Sequence, residues 1–418
     1  MHFKAKFWLQ FSLLNLLVVA SLGLLMRYKI GFEFPFLNQK NLQHSHSHFA
    51  FAGWISHTLM VLMVGFLERK GPSTALRVTK MKRTFSYNTL LTANLICAYG
   101  MLVFFIIQGY AALSIVFSTA SIFVAYIFGY QFWKDLKQVN PEWLSINWFK
   151  AAIFFNVISS FGTFVLAFMM VTKNIHQNEY LASIYYYLHF QYNGWFFFAC
   201  MGLLFHFFNL KTTEHPFFTK VFWLFFAACI PAYFLSTLWL NLPVWLYVLT
   251  VVAAFVQSYA WFKLLVVLAK TRKGYFENYP FFLRYIIVFV AVACSIKIVL
   301  QLGSTIPALS QLAFGFRPIV IAYLHLVLLA VISLFLLFYI YVNHYFYISK
   351  PIKFGIILFS VGVFLNELVL AVQGIASFSY TLIPMVNELL FAVAVLLVLG
   401  IAVTTYYSIK KVKIPPVL

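Results

Sequence analysis

Acidic side chains are scarce in this chain: nine Asp and Glu stand against 29 Lys and Arg, and only 9% of its 418 residues are charged while 63% are hydrophobic. So few charges cannot cover the surface of a water-soluble domain of this length, and a mean hydropathy of +0.91 excludes one. Cysteine is equally sparse. The four present (Cys97, Cys200, Cys229, Cys294) stand singly in apolar runs, without CxxC or Cys/His spacing. Those cysteines therefore suggest neither a cysteine-based zinc site nor a disulfide framework and read as small apolar packing groups. No Gly/Ser/Pro-rich linker or compositional break divides the chain, so residues 1–418 read as one domain. The start, MHFKAKFWLQFSLLNLLVVASLGLLM, lacks a small-residue cleavage site after its apolar stretch, and no lipidation motif follows, so it reads as a retained first span.

What the chain has instead is long apolar runs. Twelve are long enough to cross ~30 Å of hydrocarbon as helices. They lie near 7–26, 47–67, 88–108, 111–133, 149–172, 183–208, 217–240, 243–269, 281–302, 318–342, 352–374 and 381–407. Basic residues orient them, because cytoplasmic loops hold the Lys and Arg excess. With both termini cytoplasmic, 21 basic residues fall in cytoplasmic segments and five outside (Arg27, Lys29, Lys40, Lys173, Arg317), while Lys263, Arg284 and Lys297 lie in or at the edge of spans. The expectation is an all-α integral membrane protein of twelve transmembrane helices. Its formal charge of +20 sits in short loops facing an anionic leaflet, so the charge implies a lipid bilayer as partner and no nucleic acid.

Histidine in hydrocarbon is costly unless something holds it, yet QHSHSHFAFAGWISH at 43–57 places four at the second span. His44, His46 and His48 sit at its outer entry, with His57 nine residues beyond His48. His189 lies in the outer part of the sixth span and His325 in that of the tenth, counting ~1.5 Å per residue. Any one of them alone reads as a hydrogen bond to a neighbouring helix. Gathering at one depth points further, since imidazole is the usual ligand of heme and transition metals. His44 and His48 share a helix face and His46 points elsewhere, so all three cannot ligate one iron.

Twelve spans with histidines on the second, sixth and tenth near the outer face resemble subunit I of the heme-copper oxidase and nitric oxide reductase superfamily. HSHFAFAGW at 46–54 is similar to the HxHxxxxGW stretch of small relatives. Ala322-Tyr323-Leu324-His325 is similar to the AHxH of the tenth helix, with tyrosine at the position of the high-spin heme ligand. HFQYNGW at 189–195 resembles the HxxxEGxW of the reductase branch, with Asn193 where that branch has glutamate. The resemblance implies a low-spin b-type heme between the second and tenth spans, held by His325 and by His46 or His48, with His57 in reserve. It implies Lys297 or Arg317 as a heme-propionate partner and His189 as the ligand of a possible second metal. The seventh span, FWLFFAACIPAYFLSTLWLNLPVW, lacks the His-His pair expected there, so a standard terminal oxidase is not expected.

The function implied is electron transfer or the handling of a diatomic gas such as nitric oxide, in a bacterial inner membrane, with an electron-donor protein or quinol as partner. Two other classes stay open: a twelve-span transporter with an intramembrane histidine site, and a cofactor-free assembly or sensor protein of the same fold. Against a transporter stands the lack of paired Gly/Pro-broken spans in two matching halves. Glu367 and Glu388 each follow an asparagine and read as an interhelical hydrogen-bond pair. Trp54, Trp195 and Tyr185 to Tyr187 read as interface belt and packing.

Overall fold

The computed structural model describes residues 3–70 and 85–410. Among them no strand forms, and the one β-bridge is the isolated Trp143–Lys211 pair. In chain order the helices are α1 (Ala5–Gly31), α2 (Gln39–Arg69), α3 (Tyr87–Gln108), α4 (Ala112–Leu136), α5 (Ser145–Thr172), α6 (residues 177–207), α7 (Pro216–Cys229, continued by a 3-10 stretch at Pro231–Thr237), α8 (Val244–Thr271), α9 (Phe281–Gly303), α10 (Pro318–Val342), α11 (Lys350–Phe378) and α12 (Val386–Ile409). Among the described residues, ten are individually long and apolar enough to cross a membrane, and the two pieces of α7 make an eleventh when taken as one span.

The two helices outside that ten have physical reasons. Pro231 has no N–H to donate and its ring clashes with the carbonyl one turn back, at Ala227, so α7 bends by 45° there. Helix α6 is continuous, but Gln177, Asn178, Glu179, His189, Gln191 and Asn193 keep its apolarity low. Helix α2 begins at Gln39, eight residues earlier than its apolar run, because the Asn38 side chain caps it by accepting from the Lys40 and Asn41 amides at 2.9 and 3.1 Å. The polar stretch with His44, His46 and His48 is therefore helical.

Each helix packs against the next in sequence, and α12 packs along α1. That last pair is antiparallel: the Thr405 hydroxyl, near the end of α12, donates to the Leu13 carbonyl near the start of α1 at 3.3 Å, while Phe391 meets Tyr28 at the other end. Both described chain ends thus lie at one end of the bundle.

Helices α2, α6 and α10 also meet one another inside this ring. Trp54 of α2 donates to the Ser333 hydroxyl of α10 at 2.8 Å, Trp195 of α6 donates to Ser56 of α2 at 3.1 Å, and His206 of α6 bonds the Tyr339 hydroxyl of α10 at 2.6 Å. Trp54 and Trp195 are each only 1% exposed, so of the belt and packing roles expected of them it is packing that they fill. The same three helices carry π-helical stretches, at Ala50–Ser56, Phe190–Phe196 and Leu326–Ser333. Such widened turns are rare and gather at functional sites. Two of them start on the residue after a histidine, His189 and His325.

Candidate functional site

The π-helical stretches mark where the inner helices carry their histidines, and the partners of each ring sort the candidates. His325 Nδ1 lies 2.8 Å from the Ile321 carbonyl one turn back. A carbonyl only accepts, so Nδ1 carries the proton and Nε2 keeps its lone pair. This fixed tautomer is the arrangement that orients an imidazole toward a metal. His46, on α2, is the electrostatic neighbour of His325 and leans on the Val19 backbone of α1. Its Nδ1 is buried and has no hydrogen-bond partner among the described residues, a state costing about 1–3 kcal/mol unless something binds there.

The other two α2 candidates face elsewhere. His48 bonds the Tyr110 hydroxyl through Nε2 at 2.9 Å and stacks on Phe105, with ring centroids 4.3 Å apart. His57 is fully buried against α1 and α3, its Nδ1 3.4 Å from the Asn94 amide and its ring 5.9 Å from Trp8. His46 and His325 are thus electrostatic neighbours, while His48 and His57 turn toward α3.

Arg27, near the end of α1, is the cation beside His325. Sequence reasoning counted it only among the outside charges; its position one residue past the first apolar run, at the level of the histidines, was the available signal. The Arg317 side chain lies outside the described residues. Lys297 is placed in a different cluster. It is 6% exposed, neighbours Cys294, Cys229 and His189, and has its Nζ 5.7 Å from the Phe197 ring centre. Of these two cations, Arg27 is the electrostatic neighbour of His325, and Lys297 is that of Cys294, Cys229 and His189.

His189 belongs to that second cluster, and both its ring nitrogens are committed. Nε2 donates to the Cys229 carbonyl of α7 at 2.9 Å, and Nδ1 accepts from the Asn193 amide at 3.1 Å. As placed, neither nitrogen is left for a metal, and among the described residues no three of His, Cys, Asp and Glu converge on one point. Its role is to tie α6 to α7 next to the Pro231 break. His189→Ala should leave the Cys229 carbonyl and the Asn193 amide unpaired, at about 1–3 kcal/mol each. Thermal unfolding of the variant in detergent should begin well below wild type; an unchanged midpoint would remove this structural role.

Tyr323 stands where the resemblance expects a high-spin heme ligand. Its ring meets that of Tyr192 of α6 edge-on at 6.2 Å. Glu367 accepts from its own neighbour Asn366 at 3.1 Å, and among the described residues no hydrogen bond joins it to Glu388 across α11 and α12, which corrects the interhelical pair expected from sequence. No family model and no curated protein matches this chain.

Proposed function

We propose that the chain is a twelve-span bacterial inner-membrane protein with cytoplasmic termini, a divergent relative of heme-copper oxidase subunit I. It holds one low-spin b-type heme between α2 and α10 through His46 and His325. What supports this is that the two imidazoles are electrostatic neighbours, one with a fixed tautomer that frees Nε2 and the other with a buried orphan nitrogen. The residues fit the group, with Arg27 of α1 as the cation for a propionate. Heme bound there would supply one-electron chemistry; a diatomic gas would bind its iron only by displacing one of the two imidazoles. The chain's own contribution is to orient two ligands on rigid inner helices and to exclude water from them.

Counting α6 and the bent α7 as spans gives the twelve, and the antiparallel contact of α1 with α12 agrees with termini on one side. Every fourth helix from α2 onward is an inner, π-containing one, as the resemblance expects of the histidine-bearing helices. The role we assign is electron transfer or nitric oxide handling, with a quinol or a small donor protein supplying electrons.

Oxygen reduction is not part of it. A small cleft of about 50 Å³ among α2 to α6 is lined by apolar side chains such as Phe51 and Met60 and by hydroxyls and amides, including Ser56, Asn94, Asn156 and Gln191, with no carboxylate. His189 has no free nitrogen and α7 contributes no histidine. Purified protein should contain one heme b per chain by pyridine hemochrome assay, and should consume oxygen no faster than free heme does. Cyanide-sensitive uptake at oxidase rates, or a chain without heme, would sink the proposal.

A second reading, a transporter, draws on one observation: His189, Asn193 and the buried Lys297 gather on the inner helices and α9. In that case these three would contact the substrate.

A further inference from the structure

His44 and His48 stand four residues apart on α2, so their rings share one face, away from His46. Tyr110 closes over both. Its ring meets that of His44 edge-on at 4.6 Å, and its hydroxyl lies 2.9 Å from His48 Nε2. Phe105 stacks on the other side of His48 at an interplanar angle of 15°. His44 Nε2 is buried and has no hydrogen-bond partner among the described residues.

The turn that presents Tyr110 is rigid. Gly109 takes φ +64°, a left-handed conformation that favours glycine, and a Cβ there would lie 2.6 Å from Asn41 Oδ1. Ser114 then accepts from the Ala111 amide at 2.9 Å and donates to the Gly109 carbonyl at 2.6 Å. Ser45 of α2 donates to the Leu102 carbonyl of α3 at 2.8 Å, holding the two helices in register. Two imidazoles and a phenol are thus preorganised at one end of the bundle.

We propose that His44, His48 and Tyr110 bind a divalent transition-metal cation of the zinc or copper type. Two imidazole lone pairs and a phenol oxygen select such ions over calcium or magnesium, which take oxygen ligands alone. Both Nε2 atoms coordinate, the Tyr110 hydroxyl releases its proton to water as it does so, and water completes the shell. Binding therefore strengthens as pH rises. The site is separate from His46 and His325, and it stands whether or not heme is bound.

The test uses the full chain with a histidine-free affinity tag, stripped with chelator and titrated with Zn²⁺ in detergent by calorimetry. Wild type should bind one equivalent at this site, His44→Ala and His48→Ala should each weaken it about tenfold or more, and the loop variant His176→Ala should change nothing. In the unmutated chain, saturating Zn²⁺ should protect His44 and His48 from carbethoxylation, read by peptide mass spectrometry. Equal zinc affinity in wild type and the double variant, or full modification of both histidines in saturating zinc, overturns the proposal.

Discussion

His325→Ala abolishes the reduced b-type absorption bands while the protein stays inserted in the membrane. This result is expected because one of two axial ligands is lost, and alanine costs the helix nothing in propensity. Among the described residues the hydrogen bond removed is the local one from Nδ1 to the Ile321 carbonyl, so no hydrogen bond between helices is lost with the ring. His46→Ala should do the same. His57→Ala and His48→Ala should keep the bands, since the rings they remove are engaged by Asn94 and Tyr110 and not by His325. Absorption spectra of membranes carrying each variant at matched expression decide the matter. Bands that survive at His325→Ala and vanish at His189→Ala would reverse the assignment and bring the transporter forward.

Gly400→Val should be the most damaging single change away from the histidines. Helices α11 and α12 approach so closely that a Cβ on Gly400 would lie 2.5 Å from the Phe359 amide nitrogen, 2.8 Å from its Cα and 3.0 Å from the Gly355 carbonyl oxygen. These are backbone atoms, so no rotamer change relieves the clash, and the helices must separate. Small residues at such crossings are what allow close packing of membrane helices. Forcing extra carbons into such a contact costs about 1–3 kcal/mol or more, and α12 also closes the ring against α1. Gly303→Val is the control, because nothing lies within 4 Å of a Cβ there. Thermal unfolding followed by size-exclusion chromatography should place Gly400→Val several degrees below Gly303→Val. Coincident curves would contradict the close-packing account.

Much of this architecture was legible in the sequence because an apolar run of membrane length has few other uses. Where the reading slipped, local chemistry competed with the pattern. Asn38 capped a polar stretch into α2, and Pro231 broke the seventh run. The histidines were legible by depth but not by azimuth. His48 suited an α2 that begins near Asn41, and α2 does begin there, yet its ring is drawn to Tyr110. Rotation about the helix axis decides which ring faces α10, and π-helical stretches shift that rotation in a way that no count of residues carries. Lys297 was legible as an intramembrane cation, but its place beside Cys229 and His189 depends on how α7 bends and packs. Arg27 was visible as a charge, and only the packing of α1 puts it beside His325.

The central claim is that His46 and His325 hold one heme, and the most direct measurement is the spectroscopy of the purified wild-type chain. The account predicts a reduced-minus-oxidised spectrum with the sharp α band of a six-coordinate b-type heme, and a low-spin ferric electron paramagnetic resonance signal of bis-histidine type. A chain with no heme absorption, or with a wholly high-spin ferric signal, would contradict it.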